Sequence, residues 1–536
     1  MKKAFKALND CALMTSSEII QTILDSRGVD DINSLLCPSI EEIKGDIPLL
    51  KEGAQRFAEA IKDHKKFVLN VDSDADGVTS GTIMYKYLQA HGIEPKWHIS
   101  FQKSHGTSDD LMELIAQENP DVVVIMDSLD SDSSNYKRIY NEFCKEIYVL
   151  DHHDIDYSQH YDDYVTLISS NRGNNTELTG AGVVWMFCRE LDRILDVDFA
   201  SNLVDLAATG IVADVGSMGL NCPENRAIVN LGLNNLQNKA IKKIVGSYDF
   251  DSTAVSFSIA PLINAGCRYG ENEVSFEMFI SDKPRPIGEK LKLLQQCKEN
   301  QNIEIAEAME DFSDAKVQEH KNFIFFESET KGDLKGLMAN KIANSFDKPT
   351  IVVNCDATKC FGSGRGANVK NFKDICDASG LCECRGHQGA FGFNIENRNL
   401  EAFFEYLDNA LPDADTEYEV TADVTCEPED ITEDLIREVT KMNRLSGKDF
   451  PAINFMISSD DFLVSTMSHG KHLVLEDRAT GLKFIKWNAG ELEEFFSKES
   501  DNFETYTFIG TLATGYLGNK KCNRLIINDF IKGRVL

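Results

Sequence analysis

Three aspartates alternate at one point in the chain. Asp72, Asp74 and Asp76 occupy every second position, and Gly77 follows them directly. The preceding residues, 67–71 (FVLNV), are mostly apolar and β-branched, as in a buried strand. Carboxylates this close together repel one another unless a cation or strong hydrogen bonds offset the charge. The run therefore predicts a divalent-metal site at the end of a strand.

Two other interpretations of this run exist. An EF-hand calcium loop also begins D-x-D-x-D-G, but it needs a glutamate six residues after the glycine, where this chain has Ile83. A helix precedes an EF-hand loop, whereas a strand is predicted here. A solvated acidic turn without a ligand is the other alternative.

The strand-then-acid pattern occurs twice more. Residues 122–126 (VVVIM) lead to Asp127, and residues 147–150 (IYVL) lead to Asp151, His152 and His153. Because carboxyl ends of parallel strands meet at one edge of a sheet, these groups are expected to converge with the first acidic run.

Each of these groups also has a simpler interpretation by itself. Asp127 alone would fit a helix N-cap, and Asp214, after the apolar residues 209–213, would equally fit a local cap. The pair His152 and His153 is harder to explain without a ligand, since the chain has only 11 histidines. Together the groups indicate a two-metal hydrolytic centre. Carboxylates with one imidazole suit Mn²⁺ or Mg²⁺ better than zinc.

The elements around these residues alternate between strand and helix up to about residue 150. This alternation predicts an α/β fold with a doubly wound parallel sheet, covered by helices on both faces. Few breakers occur in 285–315, which predicts a long connecting helix, and a smaller α/β region follows. Short strands after about residue 415 predict an oligonucleotide-binding (OB)-like β-barrel. The predicted division is a helical region 1–65, a catalytic domain 66–284, a connecting helix 285–318, a second α/β domain 319–412 and a barrel domain 413–536.

Composition limits the possible functions. With 55 basic and 87 acidic residues the formal charge is −32, which disfavours long-range attraction of nucleic acid. Bound cations and local basic patches reduce that objection. No apolar run reaches membrane-spanning length, and Lys6, Asn9 and Asp10 interrupt the N-terminal segment before a signal peptide can form. We therefore expect a cytoplasmic protein without a membrane partner.

The 14 cysteines are expected to be reduced in that setting. Five of them lie within thirty positions, but their spacing contains no C-x₂-C pair. Free thiols are favoured over a zinc site for this group: Cys355, Cys360, Cys376, Cys382 and Cys384.

Taken together, the motifs resemble the DHH phosphoesterase superfamily. Its motif I is D-x-D-x-D-G, motif II is a strand-end Asp, motif III is Asp-His-His and motif IV is a later Asp. Three further segments are similar to RecJ-type exonucleases: IAPLINAGCRYG at 259–270, FGSGRGA at 361–367 and RGHQGAFGF at 385–393. The last resembles the GGHxxAxG signature of the DHHA1 domain, with Arg385 in place of its first glycine. Ser128 follows Asp127 where the RecJ group more often has Asn, and smaller nano-RNase relatives favour Ser.

The resemblance implies roles for individual residues. It implies metal binding by Asp74, Asp76, Asp127, His152 and Asp214, with Asp127 best placed to bridge two ions.

The resemblance also implies neighbouring roles. Asp72 would support one ion directly or through water, Asp151 belongs to the same catalytic motif as the two histidines, and His153 would face the scissile phosphate. Phosphate binding is implied for Arg268, Ser363, Arg365, Gly386 and His387, with backbone N–H groups donated by a glycine turn at 362–366.

The implied function is a metal-dependent, single-stranded-DNA-specific 5′→3′ exonuclease that uses two-metal-activated water in recombination or repair. Its cofactors would be two Mn²⁺ or Mg²⁺ ions, and its partners single-stranded DNA and a helicase or single-strand-binding protein. A monomer is expected. Two alternatives remain open: an oligoribonuclease or cyclic-dinucleotide phosphodiesterase of the same superfamily, and a catalytically silent DNA-binding or assembly protein.

Overall fold

The computed structural model describes residues 3–36, 46–100, 106–312, 317–330, 332–412, 418–501, 504–517 and 520–535. The chain forms two compact units. The large unit contains Lys6–Gln295 and Thr421–Leu536, and the small unit contains Met1–Phe5 and Gln296–Val420. The predicted domain boundaries remain predictions, although the C-terminal region belongs to the same unit as the region predicted to be catalytic.

Strands are numbered in chain order. They are β1 (Lys3–Asp10), β2 (Phe67–Val71), β3 (Lys96–Ile99), β4 (Val122–Met126), β5 (Glu146–Asp151), β6 (Thr166–Ser169), β7 (Val317–Glu319), β8 (Ile324–Glu327), β9 (Thr350–Cys355), β10 (Lys359–Arg365), β11 (Cys382–His387), β12 (Ala390–Glu396), β13 (Tyr418–Cys426), β14 (Phe455–Ser459), β15 (Phe462–Met467), β16 (His472–Asp477), β17 (Lys483–Lys486), β18 (Tyr506–Leu517) and β19 (Lys520–Lys532).

Helices are numbered in the same way. They are α1 (Ser16–Ser26), α2 (Ile32–Leu36), α3 (Leu50–Lys62), α4 (Ala75–Ala90), α5 (Asp109–Glu118), α6 (Ser134–Glu142), α7 (Gly180–Leu195), α8 (Val204–Ala213), α9 (Pro223–Asn234), α10 (Lys239–Val245), α11 (Ser252–Ala254), α12 (Ala260–Arg268), α13 (Asn272–Ile280), α14 (Pro284–Asp311), α15 (Lys335–Phe346), α16 (Phe372–Ala378), α17 (Leu400–Ala410), α18 (Glu433–Asn443) and α19 (Glu493–Asp501).

The first sheet of the large unit is parallel throughout, in the order β3-β2-β4-β5-β6. Alternate residues of β4 enter different cores. Val123 and Ile125 pack with residues of α5 and α6, while Val124 and Met126 join the core that contains residues of α3, α4 and α7. Helices therefore cover both faces, and the predicted doubly wound α/β fold is confirmed.

The second sheet of the large unit has the order β1-β13-β14-β18-β19-β17-β16-β15. Most of its pairings are antiparallel, as expected for the predicted OB-like domain. The prediction of a helical region from residue 1 is wrong over Lys3–Asp10, because this segment forms an edge strand of that sheet. The backbone N–H of Cys11 then donates to the Thr425 carbonyl at 2.9 Å.

The small unit is built on the sheet β11-β12-β10-β9-β8-β7. The segment 361–367 was predicted to be a glycine-rich turn, but residues up to Arg365 form the strand β10, paired on both sides. Close packing explains its glycines: a Cβ on Gly362 would lie 1.9 Å from the Val352 carbonyl oxygen, and one on Gly364 would lie 2.5 Å from the Phe391 ring.

The cysteines of the small unit differ partly from prediction. Cys355 and Cys360 form a disulfide, so the expectation of free thiols is wrong for this pair. The two residues face each other in the antiparallel register of β9 and β10. Cys376, Cys382 and Cys384 are free thiols, as expected. Within the described ranges, no helix is both long and apolar enough to cross a bilayer.

Candidate metal centre

The acidic and imidazole groups meet at the carboxyl edge of the parallel sheet. Strands β2, β4 and β5 are neighbours there, and each is followed or ended by residues of the predicted site. Strands β2 and β4 are buried along their full length, and β5 is buried from Ile147 to Asp151. The core therefore fixes the positions from which the carboxylates and imidazoles project.

The first acidic run forms the start of α4. Asp74 is the N-cap, and its side chain accepts hydrogen bonds from the N–H groups of Asp76 and Gly77 at 3.0 and 3.1 Å. Asp76, in the first turn, is buried. The N-terminal end of a helix stabilises negative charge, which favours carboxylates at both positions.

Asp76 is also held by the start of α7. Its Oδ2 accepts from the N–H of Gly180 at 2.7 Å, and its Oδ1 accepts from the Thr179 hydroxyl at 3.0 Å and the Ala181 N–H at 3.1 Å. Burial, with the charges of Asp214 and Asp74, raises the pKa of Asp76 well above its ordinary value. The carboxylate is thus fixed in position but electrostatically costly without a cation.

Asp127 lies at the centre of the cluster, directly after β4. Its side chain is 2% exposed and its φ is +54°. Its buried Oδ1 accepts no hydrogen bond from the part of the chain that the structure describes, although His152 Nε2 lies 3.1 Å away. Burial and the charges of neighbouring aspartates, of which Asp76 is the first, raise its pKa well above the ordinary value. A buried acceptor atom without a donor, surrounded by like charges, fits a carboxylate that binds a cation.

The Asp-His-His motif is organised by Asp151. Its Oδ1 accepts from the N–H groups of His152 and His153 at 2.5 and 2.6 Å, and it lies 2.7 Å from His153 Nδ1. Burial alone would raise the pKa of Asp151, but the charge and hydrogen bond of His153 lower it below the ordinary value. Asp151 therefore orients His153. Among the described residues it belongs to no group of ligand atoms close enough together to hold an ion.

The two histidines differ in their electrostatics. Burial lowers the pKa of His152, which favours the neutral ring that a metal requires. Burial would also lower the pKa of His153, but the charge and hydrogen bond of Asp151 raise it to about 9. His153 is thus favoured as a cation near neutral pH.

His152 lies close to three aspartates that are far apart in the sequence. Its Nε2 lies 3.1 Å from Asp127 Oδ1, 3.6 Å from Asp214 Oδ2 and 3.9 Å from Asp76 Oδ2. Asp214 caps the carboxyl end of α8. The structure therefore brings together residues that are 138 positions apart in the chain, from Asp76 to Asp214.

Three groupings of ligand atoms, each within 4.8 Å, overlap at this edge. They are Asp127 with His152 and His153, Asp76 with His152 and Asp214, and Asp72 with Asp74 and Asp127. Asp127 and His152 each belong to two groupings. All donors are carboxylate oxygens or imidazole nitrogens, a set that fits Mn²⁺ or Mg²⁺, so the residues present are suited to divalent ions.

The segment Thr179–Ala181 was missed by sequence reasoning. A Cβ on Gly180 would lie 2.7 Å from both Cβ and Oδ1 of Asp127, so only glycine allows α7 to approach that carboxylate. The signal in the sequence was the run of small residues in TGAG, 179–182. Backbone donors leave no other trace in the sequence.

Ser128, where the chain departs from the RecJ-like pattern, contacts the cluster from outside. Its hydroxyl donates to Asp72 Oδ1 at 3.2 Å and accepts from the Gly106 N–H at 2.8 Å. Ser128 is buried. It therefore links motif I to the backbone of Gly106, shortly before α5.

The residues predicted to bind phosphate lie in both units. Arg268 ends α12 in the large unit. In the small unit, Ser363 and Arg365 lie on β10, and Gly386 and His387 on β11. Because β10 is paired on both sides, the predicted turn of free N–H groups at 362–366 is wrong, and the side chains of the strand are the available donors.

Comparison with known proteins finds a family model and several named relatives. Residues 66–211 match the model of the DHH family, N-terminal domain. A prophage-derived protein of Bacillus subtilis, YorK, with the provisional name single-strand DNA-specific exonuclease, is 25% identical over 94% of this chain and 93% of its own length. The single-stranded-DNA-specific exonuclease RecJ of the same species is 22% identical over 91% of this chain and 63% of its own length.

Solved structures show the same fold. RecJ of Thermus thermophilus in complex with Mn²⁺ superposes with a TM-score of 0.75 and 20% identity, covering 100% of this chain and 80% of that one. The same protein in complex with Mg²⁺ gives a TM-score of 0.71 at 20% identity, with coverage of 100% and 79%.

Proposed function

We propose that this chain, which belongs to the DHH family through residues 66–211, is a divalent-metal-dependent hydrolase of phosphodiester bonds that degrades single-stranded DNA. The observation that carries the proposal is the overlap of three ligand groupings at Asp127 and His152. YorK, of similar length, and the longer RecJ of Bacillus subtilis are both named as single-strand DNA-specific exonucleases, which supports DNA as the substrate. Two ions, 5′→3′ polarity and a role in recombination or repair belong to the proposal.

The proposed ligands are those of the sequence prediction: Asp74, Asp76, Asp127, His152 and Asp214, with Asp72 in support. When bound, Mn²⁺ or Mg²⁺ ions lower the pKa of water and offset negative charge on the phosphate. The neutral ring of His152 and the hydrogen bonds that hold Asp76 fix the donors before substrate arrives. This arrangement lowers the reorganisation that the reaction requires.

His153 is proposed to bind the reacting phosphate. Its Nδ1 contacts Asp151 Oδ1, which leaves Nε2 to donate a proton in a hydrogen bond to a phosphate oxygen. In the metal-free protein, the charge and hydrogen bond of Asp151 raise the pKa of His153 to about 9, which favours the imidazolium. A cation at this place stabilises negative charge as it develops on the phosphate.

A second candidate is supported by Ser128. An oligoribonuclease or cyclic-dinucleotide phosphodiesterase would use the same metal centre on a shorter substrate, and the Asp-Ser sequence at 127–128 is the feature that favours it. The C-terminal OB-like domain favours a longer polymer, and for that reason we rank DNA first.

A degradation assay separates these functions. Purified protein with Mn²⁺ is incubated with 5′-labelled and 3′-labelled single-stranded DNA, a DNA duplex and a dinucleotide. We expect the single strands to be shortened from the 5′ end, with the duplex and dinucleotide degraded more slowly. Preference for the dinucleotide would support the second candidate, and binding of DNA without hydrolysis under any divalent ion would support a silent binding protein.

A pair of matched variants controls this assay. Asp127→Asn removes a proposed ligand, and Asp192→Asn alters another buried aspartate, whose oxygens accept from the Tyr87 hydroxyl and the Ala200 N–H. Activity should be lost only in the first variant. Equal activity in Asp127→Asn and the unaltered protein would contradict the proposed centre.

A further inference from the structure

Part of one face of the small-unit sheet lies open. Toward β8 and β9, Val352 packs with Met338 and Ile342 of α15. Toward β11 and β12, a Cβ built on Gly392 would meet nothing closer than the Arg385 carbonyl oxygen, at 3.6 Å. The neighbours of Gly392 in β12, Phe391 and Phe393, point into the core on the opposite face.

The register of β10, β12 and β11 sets two rows of side chains on this open face. In the first row, Ser363 and Arg385 both pair with Gly392. Directly paired residues of antiparallel strands project to the same face. Ser363 and Arg385 therefore stand on either side of a glycine that has no side chain.

The second row is adjacent to the first along the strands. Arg365 and His387 both pair with Ala390. The two rows are two residues apart along the strands, a distance of about 6.8 Å. Ser363 and Arg365 are half-buried beside Gly336 of α15, whereas Arg385 and His387 are exposed. This face thus carries two guanidinium groups, an imidazole and a hydroxyl, with only Gly392 and Ala390 between the two pairs.

Among the described residues, no carboxylate neutralises the charge of Arg385. Arg385 is exposed, and across the described ranges no carboxylate lies within ion-pair distance of its guanidinium. Arg398 of the same unit, by contrast, lies 2.5 Å from Glu396. Although the chain has a net charge of −32, the two arginines beside Gly392 and Ala390 form a local site for an anion.

We propose that Arg385 binds a backbone phosphate of single-stranded DNA across Gly392 from Ser363, adjacent to the phosphate proposed to lie at Arg365 and His387. The Arg385 side chain adds one charged contact that the first glycine of the GGHxxAxG pattern, whose place it takes, cannot supply. Because Gly392 has no side chain, the DNA strand has room to approach the sheet at this position. This inference rests on the proposed function, because it names a second phosphate of the same substrate.

Salt-dependent binding tests the inference. The full-length protein is titrated into a fluorescein-labelled twelve-nucleotide dT strand without divalent ions, so that the strand is not degraded, at several salt concentrations. Each phosphate contact to a single strand contributes about 0.7 to the slope of log affinity against log salt. We expect Arg385→Ala to reduce the slope by about 0.7 and to weaken binding about three- to tenfold at low salt.

Three further variants make the result specific. Arg385→Lys should keep the slope, since the charge remains. Gly392→Ala should weaken binding with an unchanged melting temperature, because the added methyl group has space in the free protein but occupies the proposed path of the strand. Arg398→Ala removes an exposed arginine of the same unit and should change neither slope nor affinity.

Kinetics with Mn²⁺ separate binding from chemistry. Arg385→Ala should raise KM and leave kcat nearly unchanged, because the proposed contact is to a phosphate other than the reacting one. If the unaltered protein binds and degrades the strand but Arg385→Ala shows the same slope and affinity, the inference is wrong and the proposed function stands. If the unaltered protein neither binds nor degrades single strands, both are wrong.

Discussion

Replacing Asp127 with asparagine should make the metal-free protein more stable than the unaltered protein, and the Mn²⁺-loaded protein less stable than the unaltered one. Without metal, Asp127 is a buried carboxylate among like charges, and its pKa is raised well above the ordinary value by burial and by those charges. Asparagine keeps the shape and removes the charge. The metal-free variant should therefore be more stable than the unaltered protein, although the substitution removes a proposed ligand.

The magnitude follows from the separation of the charges. Ligand atoms of Asp72, Asp74 and Asp127 lie within 4.8 Å of one another, so each ionised pair costs roughly 3.5 kcal/mol at an effective dielectric constant of about 20. Protonation of the buried carboxylates relieves part of this cost, which leaves a net gain of about 1–3 kcal/mol for the variant. Mn²⁺ at 1,000 times its Kd should stabilise the unaltered protein by about 4.1 kcal/mol and the variant by much less.

Thermal melting with and without Mn²⁺ measures both effects. We expect Asp127→Asn to melt higher than the unaltered protein in chelator and lower in saturating Mn²⁺. Asp192→Asn is the matched control: it should destabilise the protein in both conditions by about 1–3 kcal/mol, because it disturbs hydrogen bonds to Phe199, Ala200 and Tyr87. A metal-free Asp127→Asn protein that melts lower, with an unchanged response to Mn²⁺, would refute the electrostatic reasoning.

Three other predictions concern neighbouring features. Gly180→Ala should weaken Mn²⁺ binding, measured by calorimetry, at least about tenfold, because the added methyl group displaces Asp127. Gly288→Ala changes a helical glycine with open space around it and should leave Mn²⁺ binding unchanged. Equal Mn²⁺ affinities of the two variants would contradict this prediction. His153 has a pKa raised to about 9, so its contribution to metal-free stability is complete below about pH 6.5 and is lost as the pH rises through about 9. The difference in free energy of unfolding between the unaltered protein and His153→Gln, measured with urea, should therefore shrink over that range. A difference that stays constant with pH would contradict the prediction. Peptide mapping without reductant should find Cys355 linked to Cys360, and finding both alkylated in protein kept from reductants would show the pair to be reduced.

Most side chains of the candidate site could be predicted because they follow closely after a strand that is recognisable from its own short stretch of sequence. Asp127 follows a strand whose apolar run is evident, and so do His152 and His153. The parallel arrangement of those strands followed from the alternation with helices, and it placed their ends at one edge. Backbone donors have no such signature, which is why the contact of Gly180 with Asp76 and Asp127 was not foreseen.

Features that depend on distant pairing were the ones predicted wrongly. The strand Lys3–Asp10 joins a sheet whose other members lie more than 400 residues later, so its local sequence does not reveal its partner. The sequence predicts a turn at the glycines of β10, whereas close contact with Val352 and Phe391 requires them in a strand. The disulfide between Cys355 and Cys360 depends on the register of β9 and β10, which spacing alone did not indicate.

Crystals grown with Mn²⁺ and measured at the manganese absorption edge test the proposed metal centre most directly. We expect anomalous density within about 2.0–2.4 Å of Asp127 Oδ1 and His152 Nε2, with Asp76 and Asp214 completing the ligands. Density elsewhere on the protein, with none at the ends of β2, β4 and β5 in saturating Mn²⁺, would contradict a divalent-metal site at this edge.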